Sequence, residues 1–306
     1  IRMALFPWAS TRREAPTMKP GDYLTNIFDV TTLDHIVFFT NMGNYIFLPV
    51  HKIPEAKWKD LGKHINNIVT LNPEEKLVAS FIYEPDKDII SVSKLGMIKR
   101  TKMKDYEVTR TSKAMASMKL KDNDEVVSVI ESNEKVMIIS DSGYACIFNK
   151  LEVPLVGTRG SGVKGIALKD DEVSLAIALD NAEYVTLLTN QNTMKRIKAL
   201  DLEETGRAKR GLSILKKVKS TNYKITSAVS TTSRSELTII AEDKIANVKN
   251  SDIPIMDLAS TGSMVSKHKI VEVLLKVDLE AKQEEINKPT EQEPTQVSFD
   301  LNEFKL

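Results

Sequence analysis

The sequence has little of what disulfide-stabilised, membrane-spanning or metal-dependent proteins need. Its 306 residues include one cysteine, Cys146, which excludes an intramolecular disulfide and indicates a buried thiol in a reducing compartment. No apolar run approaches the ~18 residues of a membrane-spanning helix, and the start of the chain does not resemble a signal peptide. The four histidines are not spaced as metal ligands, so the sequence predicts no metal site.

A hairpin pattern recurs along the chain with a period of about 50 residues. Its first copy has two apolar strands around a tight turn at Asn41-Met42-Gly43, where Asn and Gly tolerate the positive φ of a hairpin. Equivalent turns follow at positions 96, 143, 192 and 243. A closing strand preceded by an acidic turn, as at 77–82, recurs as well. The pattern predicts an all-β, propeller-like chain of four-stranded antiparallel blades.

The repeats divide the chain into a β-domain over residues 1–277 and a tail over 278–306. We expect six repeats, the first incomplete or irregular, at about 1–32, 33–82, 87–132, 134–181, 183–232 and 235–277. The tail has eight acidic and three basic residues, a net charge of −5; the whole chain carries +1, so the β-domain carries +6. Its polar, proline-bearing composition predicts mostly disorder. Because Ile1 is not an initiator methionine, we also expect a longer parent polypeptide.

Basic side chains cluster at matching positions of several repeats. For a single lysine, a solvated surface position is the simpler interpretation, but recurrence at equivalent positions favours a track for a polyanion such as DNA. Alternation along a strand predicts that Lys102 and Lys104 share an outward face, as do Arg196 and Lys198. The residues predicted for this basic rim are Lys57, Lys59, Lys63, Lys99, Arg100, Lys102, Lys104, Arg110, Lys195, Arg196, Lys198, Arg207, Lys209 and Arg210.

Over nearly all of residues 11–277 the chain resembles the C-terminal domain of the A subunit of bacterial type IIA topoisomerases. Several motifs together carry the resemblance. They are Phe39-Thr40-Asn41-Met42-Gly43-Asn44-Tyr45, Pro49 to Ala56 with Lys59-Asp60-Leu61-Gly62, Gly96 to Thr101, Arg159 to Ile166, and Arg207 to Gly211. Within the family the likeness is to topoisomerase IV (ParC) of Gram-positive type.

The resemblance implies a β-pinwheel, in which neighbouring blades exchange strands and DNA lies along the basic rim. It implies DNA binding and bending without sequence specificity, which presents DNA segments to an ATP-dependent strand-passage core for decatenation and relaxation during chromosome segregation. The implied partners are double-stranded DNA, a ParE-like ATPase B subunit in an A2B2 complex, and the N-terminal core of the same polypeptide. The implied location is the bacterial cytoplasm, at the nucleoid. No catalytic residue is expected in this fragment, and no cofactor, since ATP and Mg act through other domains of the parent.

Two other interpretations remain open. One is the gyrase A protein, whose C-terminal domain carries a Gln-Arg-Arg-Gly-Gly-Lys-Gly box. The matching place here, Ser10 to Pro16, keeps two arginines but lacks the glycines, which favours topoisomerase IV. The other is a propeller-like scaffold whose basic rim binds an acidic protein. A phosphate-binding loop at Gly160 to Gly165 is disfavoured, because no strand-loop-helix context surrounds it and a loop between blades explains its glycines.

Overall fold

The described part of the chain is built of short antiparallel strands. The computed structural model describes residues 2–3, 21–57, 60–109, 111 and 113–276. The strands within these residues are β1 (Arg2–Met3), β2 (His35–Thr40), β3 (Asn44–Pro49), β4 (Lys63–His64), β5 (Leu77–Ile82), β6 (Asp88–Ser93), β7 (Met97–Lys102), β8 (Met115–Ala116), β9 (Val126–Glu131), β10 (Lys135–Ser140), β11 (Tyr144–Asn149), β12 (Val163–Lys164), β13 (Val173–Ala178), β14 (Tyr184–Thr189), β15 (Thr193–Lys198), β16 (Leu212–Ser213), β17 (Ile225–Thr231), β18 (Glu236–Ala241), β19 (Ile245–Lys249), β20 (Ser263–Met264) and β21 (Ile270–Leu275).

No α-helix is found in these ranges, but 3-10 turns follow several strands. They are Val50–Lys52, Ile65–Asn67, Met103–Tyr106, Lys150–Glu152, Ala199–Asp201 and Asn250–Asp252. The same described residues contain no helix long and apolar enough to cross a membrane. The prediction of an all-β chain is confirmed for the residues described.

The strands form five successive blades. Four blades have four strands each, in the orders β5-β2-β3-β8, β9-β6-β7-β12, β13-β10-β11-β16 and β17-β14-β15-β20, and the fifth has three, β21-β18-β19. The first strand named in each blade packs beside its counterpart in the next, so these closing strands form the inner edge. The short last strand therefore lies at the outer edge of its blade. It comes from the following unit of the chain, because β8 follows the hairpin of the second blade, β12 that of the third, β16 that of the fourth and β20 that of the fifth. We call it the exchanged strand of the blade.

The prediction of six blades is wrong for the residues that the structure describes. Among the described residues of the first repeat, 2–3 and 21–32, the only strand is β1, which pairs with β4 in a two-stranded ribbon. By its place in the chain, β4 is the exchanged strand of a blade before the first, yet no hairpin occurs in residues 21–34 to complete such a blade. Residues 4–20 and 277–306 lie outside the described residues. The gyrase-type box at Ser10 to Pro16 and the predicted disorder of the tail, 278–306, therefore lie outside them too.

The sequence forms these hairpins because turn chemistry and burial agree. Gly43, Gly96 and Gly143 occupy the turns with positive φ, and Asn192 takes the same conformation with φ 57°. The hairpin strands then lie between neighbouring blades, which bury both of their faces. Their near-continuous apolar runs follow from this position.

The core lies between consecutive blades. Between the first and second blades, the rings of Phe39 and Tyr45 meet the buried ring of Tyr106 edge-on, at centroid distances of 5.1 and 4.8 Å. Between the second and third blades, Cys146 packs among aliphatic side chains and is fully buried, as predicted. Because each interface buries several large side chains, at about 1.5–3 kcal/mol each, neighbouring blades stabilise one another.

The segment before β2 connects the first and last blades. The hydroxyl of Tyr23 donates to Glu272 of β21 at 2.9 Å, and the amide of Asn26 donates to Ser80 of β5 at 3.0 Å. Burial and the carboxylate of Glu272 raise the pKa of Tyr23 to about 12, so its hydroxyl keeps its proton at neutral pH. These residues join the two ends of the series of blades.

Candidate nucleic-acid interface

The candidate surface consists of the loops that lead into the exchanged strands, which we call exchange loops. Each covers the six residues before an exchanged strand: 57–62, 109–114, 157–162, 206–211 and 257–262. Trp58, Lys59, Arg110 and Ser112 lie outside the described residues. Since the exchanged strands form the outer edges of the blades, the exchange loops lie at the same edge in blade after blade. A long ligand that follows this edge meets one exchange loop per blade.

A glycine ends most exchange loops, for a steric reason. Gly162, Gly211 and Gly262 have φ of +78°, +86° and +84°, a conformation that side chains rarely adopt. A Cβ at Gly162 would also collide with the carbonyl of Ile98, and one at Gly211 with that of Ala145. The glycine thus lets the loop approach the hairpin closely enough for the exchanged strand to pair.

Exposed cations lie within four of the five exchange loops, and further exposed cations follow some of them in the chain. The second blade presents Arg159 and Lys164, and the third presents Lys209 and Arg210. Further exposed cations are Lys113 in the loop of the first blade, Lys57 and Lys63 at the β1–β4 ribbon, and Lys216 and Lys217 after β16. The loop of the fourth blade contains no lysine or arginine. Exposed Lys267 follows β20 at the position that Lys216 occupies after β16, so only the cations within the exchange loops end at the third blade.

Two of these cations are arranged around an aromatic ring. The guanidinium carbon of Arg210 lies 4.0 Å from the ring centroid of Tyr144, and the ammonium of Lys217 lies 5.1 Å from it. Tyr144 begins the outer hairpin strand of the third blade, so the ring holds two cations close together. Such an arrangement suits an anionic ligand, which offsets the repulsion between them.

Arg207, another predicted residue, is half-buried and ties two loops together. Its Nε donates to the carbonyl of Glu152 at 3.0 Å and its guanidinium donates to that of Lys164 at 2.6 Å. The side chain of Glu152 in turn accepts from the backbone N–H of Arg207 at 2.9 Å. Much of the hydrogen-bonding capacity of Arg207 is therefore used within the protein, between the edges of the second and third blades.

Four of the predicted rim residues are buried, which corrects their assignment to an exposed surface. Lys99 and Lys195 are 0% and 2% exposed, and Arg100 and Arg196 are 9% and 8% exposed. Their strands, β7 and β15, are central in their sheets and covered on both faces by neighbouring blades, so alternation does not bring every second side chain to solvent. Residues Arg196 and Lys198 consequently do not share a solvated face.

The two buried arginines hold equivalent segments of the following unit. The Nε of Arg100 donates to the carbonyl of Val153 at 3.0 Å, and the Nε of Arg196 donates to that of Ile253 at 2.6 Å. The guanidinium of Arg100 also pairs with Asp88 at 3.0 Å. These contacts fasten the segment before each exchange loop to the blade that receives it.

The remaining predicted residues on or just after β7 and β15 differ in whether they are exposed and in whether a carboxylate pairs with them. The ammonium of Lys102 lies 2.7 Å from the carboxylate of Asp88. Lys104 is exposed, but it lies in the 3-10 turn after β7 and not on the strand, so the predicted shared face with Lys102 is wrong. Lys198 is exposed at the end of β15.

Burial sets the pKa of the two buried lysines. It lowers the pKa of Lys99 to about 8, opposed by the charge of Asp105, and lowers that of Lys195 to about 8, opposed by Asp257. Both remain mostly protonated at neutral pH. Their hydrogen atoms are directed at backbone carbonyls, which makes them structural groups.

The glycines considered for a phosphate-binding loop lie at the junction of two blades. Residues Gly160 to Gly165 form the end of an exchange loop, β12 and the residue after it, and no helix follows them. This confirms that a loop between blades explains the glycines. Among the described residues, no group of three or more His, Cys, Asp and Glu side chains is placed to hold a metal ion.

A family model matches the chain at four of its five blades. It is described as DNA gyrase C-terminal domain, beta-propeller, and it matches residues 34–83, 87–133, 134–178 and 183–232, more than half of the chain. The chain belongs to this family. The boundaries of the four matches follow the hairpin-plus-closing-strand units seen in the structure, so the family repeat and the blade coincide.

Relatives within the family are A subunits of topoisomerase IV. The A subunit of DNA topoisomerase 4 from Bacillus subtilis (strain 168) is 34% identical over 214 residues, which cover 68% of this chain and 27% of the relative. Its counterpart from Staphylococcus aureus (strain MRSA252) is 31% identical over 255 residues, covering 81% and 32%. The chain therefore matches about a third or less of the length of these relatives.

Solved structures in the family have the same architecture. A crystal structure of the C-terminal domain of DNA topoisomerase IV superposes with a TM-score of 0.83 at 31% identity, covering 89% of this chain and 88% of that one. The DNA gyrase A C-terminal domain gives a TM-score of 0.69 at 20% identity over 87% and 93%, a likeness of fold alone. The resemblance inferred from motifs is confirmed.

Several exposed cations at the outer edge are not among the residues predicted for the basic rim. They are Lys113, Arg159, Lys164, Lys216 and Lys217. A signal was present: Gly62, Gly162, Gly211 and Gly262 each precede an exchanged strand, and cations lie within a few residues of the first three. Aligning the repeats on these glycines, as well as on the hairpin turns, identifies the exchange loops.

Proposed function

We propose that this chain is the DNA-binding and DNA-bending domain of the A protein of a topoisomerase IV, and that DNA lies along the exchange loops. The observation that carries the proposal is the repetition of exposed cations at one edge of consecutive blades, with Arg159 and Lys164 in the second and Lys209 and Arg210 in the third. A duplex presents phosphates at regular intervals, so repeated cations bind it without reading its sequence.

The proposed site keeps the exposed members of the predicted set and adds those found at the exchange loops. Lys57, Lys63, Lys104, Lys198, Lys209 and Arg210 remain candidates, as do Lys59 and Arg110, which lie outside the described residues. Lys102 and Arg207 contribute less, because Asp88 and two backbone carbonyls already engage them. Arg159, Lys164, Lys113, Lys216 and Lys217 join the set.

In the parent protein, this domain would present DNA segments to an N-terminal strand-passage core for decatenation and relaxation during chromosome segregation. ATP and Mg would act through other domains, with a ParE-like B subunit completing an A2B2 complex in the bacterial cytoplasm. The support is membership of the family together with relatives named as the A subunit of topoisomerase 4. We propose no catalytic role for this fragment itself.

The experiment is duplex binding by the purified 306-residue chain, measured across a range of salt concentrations with two unrelated sequences. We expect similar affinity for both sequences and a log–log salt slope of several units, since each neutralised phosphate contributes about 0.9. Circularisation of short duplexes measures the bending. Binding that does not depend on salt would contradict the proposal, and selective binding of an acidic protein would favour the scaffold interpretation.

The gyrase A protein remains the second candidate, because the matching family model and one solved neighbour carry that name. Chiral wrapping of a plasmid separates the two candidates. A wrapping domain changes the linking number when a relaxed plasmid is religated in its presence, whereas we expect the present chain to bend DNA with little change in linking number.

A further inference from the structure

The buried lysines Lys99 and Lys195 contact the inner side of two exchange loops. The ammonium of Lys99 donates to the carbonyls of Gly157 and Thr158 at 2.9 and 3.0 Å, and to that of Ser117. The ammonium of Lys195 donates to the carbonyls of Asp257, Leu258 and Ser260 at 3.1, 2.7 and 3.0 Å. Each lysine therefore satisfies three backbone carbonyls of neighbouring segments.

The two contacts are equivalent in the repeat. Gly157 lies six residues before the exchanged strand β12, and Asp257 lies six residues before β20. In the third blade the matching carbonyl is that of Gly206, six residues before β16, and it accepts from the thiol of Cys146 at 3.2 Å. Cys146 occupies the strand position of Lys99 and Lys195. One position of the outer hairpin strand therefore donates to one carbonyl of the exchange loop in three consecutive blades.

The lysines are much stronger donors than the thiol. An ammonium offers three charge-assisted hydrogen bonds, whereas a thiol offers one weak bond. In the first blade the same position is Ile46, which brings no side-chain donor. The second and fourth loops are thus the ones most firmly fixed to their blades. The second carries exposed Arg159 and leads directly into exposed Lys164 of β12, whereas the fourth carries no lysine or arginine.

We infer that Lys99 is a positioning residue for DNA: by holding the inward carbonyls of loop 157–162, it fixes the backbone that displays Arg159 and Lys164 to the phosphates. The inference rests on the proposed function and deepens it. Thr101 supports the same arrangement, since its hydroxyl donates to the carbonyl of Val156 at 2.8 Å. Lys195 holds a loop without cations in the same way, so it serves the fold and not the binding surface.

This difference supplies a matched control. Lys99→Met and Lys195→Met each remove one buried ammonium with three carbonyl partners and leave an unbranched side chain of similar length. Both variants are expected to remain folded and to lose amide protection against hydrogen exchange in their own exchange loop, 157–162 or 257–262. Thermal unfolding of the full chain checks that the remaining blades are intact.

The decisive experiment is a double-mutant cycle on duplex binding. The affinities of the variants are compared at ~50 mM salt, and the log–log slope of affinity against salt is measured over a range of concentrations. Arg159→Ala/Lys164→Ala should flatten the log–log salt slope by up to about 2. Lys99→Met should lower affinity about three- to tenfold and flatten the slope by about 1, because the loop cations lose their fixed positions. Lys99→Met added to Arg159→Ala/Lys164→Ala should cost nothing more, and Lys195→Met should leave affinity within about twofold of the unaltered chain.

The outcomes distinguish failure of the proposed site from failure of the inference about Lys99. If Arg159→Ala/Lys164→Ala leaves the slope unchanged, the second exchange loop does not bind DNA, and both the proposed site at that loop and the inference fall. If that double substitution weakens binding but Lys99→Met does not, the inference alone is overturned. Equal losses of affinity from Lys99→Met and Lys195→Met would assign both lysines to general stability, and an additive loss in the triple variant would mean that Lys99 acts through something other than the two cations.

Discussion

The second and fourth blades share an internal construction and differ at the surface. Both have a buried Lys-Arg pair on the outer hairpin strand, Lys99-Arg100 and Lys195-Arg196, that fastens the incoming segment through backbone carbonyls. The loop held in the second blade displays Arg159 and leads into Lys164 of β12, whereas the loop held in the fourth contains no basic residue and includes Asp257. A Lys-Arg pair on a strand is therefore part of the architecture, and the loop residues decide which blades attract an anion.

The largest expected effect is on stability, from the glycine that ends each of these two loops. Gly162→Ala places a Cβ against the carbonyl of Ile98 at positive φ, and we expect a loss of about 2–4 kcal/mol in the free energy of unfolding. For Gly262→Ala the nearest atom, the carbonyl oxygen of Met194, lies at 2.9 Å, so the loss should be smaller, about 1–3 kcal/mol. Denaturant titration measures both values.

DNA binding by the same two variants is measured at temperatures where both are folded. It tests whether the loops of the second and fourth blades differ in their contribution to binding. Gly162→Ala should weaken duplex binding because it displaces the loop that carries Arg159, and Gly262→Ala should not. A stability loss without any binding difference between the two would break the proposed distinction between the blades.

The next largest effect is the loss of stability on removing either buried lysine. Lys99→Met and Lys195→Met each leave buried carbonyls without a donor, which should cost about 1–3 kcal/mol at pH 7. The two losses should be similar, since the contacts are equivalent. Chemical denaturation at pH 7 tests this, with Lys121→Ala, a change at an exposed lysine in an acidic turn, as a control expected to lie within about ±0.5 kcal/mol of the unaltered chain.

Removal of exposed cations should change binding and leave stability almost unaltered. Arg159→Ala/Lys164→Ala in the second blade and Lys209→Ala/Arg210→Ala in the third should each flatten the salt slope by up to about 2, whatever the DNA sequence. Lys121→Ala/Lys169→Ala removes the same charge from two exposed lysines that are not part of the exchange loops. If this control flattens the slope equally, net charge and not the exchange loops determines binding.

The smallest expected effect is on the pH dependence of stability. The folded pKa of Lys99 and of Lys195 is about 8, below the ordinary lysine value of 10.5, so the unfolded chain binds more protons between these limits. Raising the pH from about 8 to 10.5 should therefore add stability, as the cost of burying the two charges is relieved. Asp105 and Asp257, which face the two lysines, moderate the shift without reversing it.

Lys99→Met and Lys195→Met remove the groups responsible, so each should show a smaller rise than the unaltered chain over this pH range. Urea unfolding in a series of buffers measures the difference. An identical pH profile for the unaltered chain and both variants would contradict the lowered pKa values.

Much of the fold could be predicted from local chemistry. Gly43, Gly96, Gly143 and Asn192 mark hairpins because their backbone adopts positive φ, and the β-branched runs around them form strands. The single cysteine was correctly expected to be buried. The repeat period and the motifs also indicated the family, because the residues that set turn geometry and strand length recur in each repeat.

Which basic residue reaches solvent was decided by tertiary structure. Lys99 lies in the middle of β7 and Lys104 two residues after its end, yet the first is enclosed between blades and donates to Gly157 and the second is exposed. Gly157 is 58 residues away in the chain, so no local pattern identifies that contact. The sequence by itself determined the hairpins and the number of positive charges. The exchange of strands between units decided which charges are enclosed as internal donors and which remain exposed, because only the packing of one blade against the next removes a side chain from water.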